Sequence, residues 1–86
     1  MSPRDIEQAV LDLEEVRIVI RAPINSKLDV FLYDRKAAGT TSVTEWLDQR
    51  IRPIIKGHEV TVVDGNGVTP NGRTSMATLR RSYERA

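Results

Sequence analysis

No cysteine occurs anywhere in the 86 residues. Its absence excludes disulfides, thiolate metal sites, iron–sulfur clusters and cysteine nucleophiles, and it fits an intracellular, cytoplasmic setting. Histidine occurs once, at His58, with no second imidazole at ligand spacing. Long apolar runs are missing too. The windows 16–22 and 28–33 are broken by charges and fall far short of the roughly 20 apolar residues that span a bilayer. The opening MSPRDIEQ lacks a basic flank followed by an apolar stretch, so no signal peptide is expected.

What is present suits one small folded domain over 1–86, with 29% charged and 40% hydrophobic residues. The net charge of +1 hides a gradient: residues 1–15 sum to −4, 16–36 to +3, 37–70 to −1 and 71–86 to +3. Local poles of this kind steer charged partners even when the whole is nearly neutral.

Ser2, Pro3 and Asp5 make a helix start with a capping box, and Ile6, Val10 and Leu13 continue it at helical spacing to about residue 13. Val16–Ala22 alternates as a strand and Pro23 stops it. Residues 28–34 alternate again, placing Leu28, Val30 and Leu32 inward and Asp29, Phe31 and Tyr33 on the opposite side. Ser42 and Glu45 open a second helix, whose apolar face is Val43, Leu47, Ile51 and Ile54, and Pro53 ends it near 51 or 52. Residues 59–63 read as a third strand, Asp64–Gly67 as a turn, and the stripe Met76, Leu79, Tyr83 as a last helix starting near Thr74 or Ser75. No segment repeats another. The expected fold is α+β in the order α-β-β-α-β-α: a small three-stranded sheet, at least partly antiparallel, with helices mainly on one face.

Three constellations bear on function. Gly67–Thr74 follows the phosphate-loop spacing but has Arg73 where lysine belongs, and only 12 residues follow it. Both features count against a nucleotidase. What survives is an anion seat at the start of the last helix, formed by free amides with Arg73, Thr74 and Ser75. The second constellation is the strand face carrying Arg17, Arg21, Phe31 and Tyr33, a composition suited to protein interfaces or to base stacking, unless the first or last helix crosses over this face and makes Phe31 core. The third is the basic cluster Arg73, Arg80, Arg81 and Arg85. A helix-turn-helix fails on context, because a strand and a loop precede that helix.

The reading is therefore a non-enzymatic protein-interaction module, as a homodimer or as an inhibitor or adaptor of a larger nucleic-acid-handling assembly. Its contacts would come from Arg17, Arg21, Phe31 and Tyr33, or from the acidic pole of Asp12, Glu14 and Glu15. The alternative is direct nucleic-acid binding through Arg73, Thr74, Ser75, Arg80, Arg81 and Arg85. No catalytic residue, cofactor, metal site or membrane partner is expected.

Overall fold

A computed structural model describes residues 1–84 of the chain. Helix α1 (Pro3–Glu14) opens as its capping residues require. Ser2 accepts a hydrogen bond from the Asp5 amide at 3.1 Å, and Asp5 returns one from the Ser2 amide at 3.3 Å. Its buried face is Pro3, Ile6, Val10 and, unexpectedly, Glu14. Glu15 caps the helix in the left-handed region at φ 62° and turns the chain into β1 (Arg17–Arg21).

β1 pairs antiparallel with β2 (Glu59–Val63) in the register Arg17–Val63, Val19–Thr61, Arg21–Glu59. Ile18, Ile20 and Val62 point into the core, while Arg17, Val19 and Arg21 face out. The sheet has two strands, not three, which corrects the expected architecture. Two physical causes keep residues 28–34 out of it. The outer edge of β1 is already taken, because the Glu7 carboxylate accepts the Ile20 amide at 2.8 Å and α1 packs along that strand. The segment also buries the wrong residues for a strand: Leu28 and Phe31 go in, at a spacing of three, while Val30 and Leu32 stay out. Burying a phenylalanine is worth about 1.5–3 kcal/mol, and Phe31 takes the core side that alternation had given to Val30 and Leu32.

The second helix is continuous from Val43 to Ile54 but changes winding along the way. An α-turn, α2 (Val43–Trp46), runs into a π-turn over Leu47–Ile51 and a 3₁₀ turn over Arg52–Ile54. Pro53 has no amide to continue the ladder, and the Arg52 amide reaches back five residues to the Leu47 carbonyl. Trp46 and Ile51 on this element and Ile55 just after it are fully or almost fully buried, together with Met76 and Leu79 of α3 (Met76–Tyr83).

The starts of α2 and α3 lock together. Ser42 and Ser75, the two N-caps, form an antiparallel bridge. The Val43 and Thr44 amides donate to the Thr74 and Gly72 carbonyls at 2.8 and 3.0 Å. The Met76 and Ala77 amides donate to the Thr41 and Gly39 carbonyls at the same distances. Each cap serine accepts the third amide of its own helix, from Glu45 and Thr78. A short sequence match accompanies this exchange, Gly39-Thr-Thr-Ser-Val43 against Gly72-Arg-Thr-Ser-Met76. A Cβ on Gly39 would stand 2.9 Å from the Ala77 Cβ, and one on Gly72 would stand 2.2 Å from the Thr44 hydroxyl.

Candidate functional site

Segment 28–37 is irregular but anchored at many points. Leu28 and Phe31 sit in the core, at 6% and 7% exposure. The Leu28 amide donates to the Met1 carbonyl at 2.8 Å and the Asp29 amide to the Ile54 carbonyl at 3.0 Å. The Phe31 amide points at the Met1 sulfur, 3.3 Å away. Beyond it the Arg50 guanidinium lies 4.1 Å from the Tyr33 ring centroid and donates to the Arg35 carbonyl at 2.7 Å. The Ala37 amide ends the segment on the Glu14 carboxylate at 2.8 Å.

The anchors at the far end, Arg50 and Ala37, lead back to Glu14, which is 0% exposed. Its carboxylate accepts Arg50 at 2.7 Å and Arg80 at 3.2 Å, and Arg80 also donates to the Glu14 carbonyl at 2.8 Å. Three elements and the loop thus converge on one buried negative charge. Glu14 therefore belongs to the interior, and only Asp12 and Glu15 of the expected acidic pole reach solvent. Glu15 pairs with Lys36, whose hydrogen bond and positive charge lower its pKa below the ordinary carboxylate value.

Held in this way, the segment presents apolar side chains to water. Leu32 is 83% exposed and Val30 is 49% exposed, with Tyr33 also exposed. Side chains of this size lose about 1.5–3 kcal/mol each by staying out of a core.

The other expected site residues are dispersed. Arg17 and Arg21 lie on the open face of the sheet, while Tyr33 stacks on Arg50 and on Phe31, ring centroids 5.2 Å apart. No hydrogen bond or ring contact joins the two arginines to Phe31 or Tyr33 among the described residues. Phe31 itself is core and offers nothing to a partner. At the start of α3 the anion seat is filled from within, because the Met76, Ala77 and Thr78 amides all have protein acceptors. The Arg73 and Thr74 amides are likewise used by Asn71. Arg80 is spent on Glu14, Arg73 and Arg81 are exposed, and Arg85 lies outside the described residues.

Val30, Leu32 and Arg50 are the members that sequence reasoning missed. The usable signal was Phe31: its bulk, three residues after Leu28, favours one inward side over strict alternation. Among the described residues no group of three or more metal-ligating side chains is placed to hold an ion, and no helix is long and apolar enough to cross a membrane. Comparison with protein-family models, curated proteins and solved structures finds no match for this chain.

Proposed function

We propose that this chain is a non-enzymatic protein-interaction module whose contact surface is the segment Leu28–Tyr33. The observation that carries the reading is Leu32, 83% exposed on a backbone fixed on both sides by the core and by Arg50. A segment anchored in this way loses little further freedom when a partner covers it, which favours affinity.

Photo-crosslinking in cells tests it, with a photoreactive phenylalanine analogue placed at Leu32 and, as control, at exposed Gln8 on the outer side of α1. Discrete protein adducts from position 32 and none from position 8 are expected. Equal yields, or none from position 32, overturn the reading. Direct nucleic-acid binding is separated by titrating a random oligonucleotide. Its hallmark is affinity that falls steeply with salt, and no such binding is expected with Arg80 held on Glu14.

A further inference from the structure

We propose that Asn66 is a site of spontaneous covalent modification, where the Gly67 amide nitrogen closes a cyclic imide that opens to aspartate and isoaspartate. Two of the three asparagines, Asn66 and Asn71, precede glycine. Glycine has no Cβ to obstruct attack by its own nitrogen on the preceding side chain, and its backbone reaches the necessary conformation most readily. The fold treats the two pairs differently. Asn66 is exposed in the turn after β2, and its carboxamide makes no hydrogen bond among the described residues. Gly67 stands at φ 79°, and a Cβ there would meet nothing within 4 Å. One bond restrains the nucleophile, from the Gly67 amide to the Asp64 carbonyl at 3.0 Å. Single turn bonds in exposed loops open at little cost.

Asn71 is pinned instead. Its Oδ1 accepts the Arg73 amide at 2.8 Å and its carbonyl accepts the Thr74 amide at 2.9 Å. The Gly72 carbonyl accepts the Thr44 amide at 3.0 Å, and a Cβ on Gly72 would collide with the Thr44 hydroxyl. The Gly72 amide has no acceptor among the described residues, but turning its peptide toward the Asn71 side chain would break the exchange between the starts of α2 and α3.

In the first step at Asn66, the bond from the Gly67 nitrogen to Cγ forms and the bond from Cγ to Nδ2 breaks. The amide proton passes through solvent to the departing nitrogen, which leaves as ammonia. Water then adds to either imide carbonyl, and no other reactant enters. Each event replaces a neutral amide with a carboxylate and so lowers the net charge of +1 by one. The new charge arises in a surface hollow that position 66 shares with Arg81, a cation with no ion pair among the described residues.

The test is to age the folded chain in mildly alkaline buffer and map its peptides by mass spectrometry. The Asn66 peptide should gain one mass unit and separate into aspartate and isoaspartate forms, at least about tenfold faster than the Asn71 peptide reacts. In urea at the same pH the two pairs should react at similar rates, because the fold alone separates them. An unreacted Asn66, or equal or faster modification at Asn71 in the folded chain, overturns the proposal. So does an Asn66 product that is aspartate alone, which direct hydrolysis without the imide would give. A preference for Asn66 that persists unchanged in urea also overturns it.

Discussion

A carboxylate cut off from water needs its charge answered, and Glu14 finds Arg50 and Arg80 within hydrogen-bond reach. Removing one member of such a cluster leaves the others buried and unpaired, at a cost of about 3–5 kcal/mol. Glu14→Ala should therefore lower unfolding stability by that amount in urea titrations followed by the fluorescence of Trp46, the only tryptophan. Lys36→Ala, which breaks the exposed pair with Glu15, should barely move the midpoint, since surface pairs contribute little. Equal losses would contradict the central role of Glu14. Tyr83 provides a second residue-scale test. Its hydroxyl stands between the strands, accepting from the Arg17 amide at 3.0 Å and donating to the Val63 carbonyl. Desolvation raises its pKa above the ordinary phenol value. With the folded pKa above the unfolded one, the neutral form is favoured by folding. The stability this gives is complete below about pH 10 and is lost as pH rises through the folded pKa. Tyr83→Phe should cost about 1–2 kcal/mol at neutral pH and should remove that alkaline slope in denaturation curves taken across the range. A slope unchanged in the variant would assign the effect to another group.

Helix positions were the legible part of this chain at the scale of elements. Ser2 with Asp5, Ser42 with Glu45, and Ser75 all cap where side-chain chemistry places them, because capping is decided within four residues. β1 and β2 were legible for the same local reason. The segment 28–34 was not, since its fate depends on Glu7 occupying the edge of β1 and on Phe31 finding the core, both contacts distant in sequence. Glu14 was misplaced because an acid at a helix end looks solvated until Arg50 and Arg80 arrive from elements 36 and 66 residues away. The exchange between the starts of α2 and α3 left a trace in the matched Gly-x-Thr-Ser segments, and it can be tested there. Gly39→Ala pushes a methyl against the Ala77 Cβ and should destabilise by about 1–3 kcal/mol. Ala77→Gly alone also costs stability, yet the double variant should be more stable than the sum of the two losses. Strict additivity in that cycle would mean that the helix starts are not in contact.

The whole molecule measures 33 × 23 × 20 Å with a radius of gyration of 12.1 Å, the size expected of about 86 folded residues in one unit. Its charge poles are partly consumed within the fold: Glu14 and Arg80, from opposite ends of the sequence, pair with one another. What remains outside is an anchored segment with Val30 and Leu32 in water, the surface proposed to meet a partner. Amide hydrogen exchange, measured residue by residue, tests its combination of anchoring and openness most directly. The Leu28 and Asp29 amides, bonded to Met1 and Ile54, should be protected while Val30 and Leu32 exchange freely. Protection of Val30 and Leu32, or free exchange of Leu28 and Asp29, would contradict it.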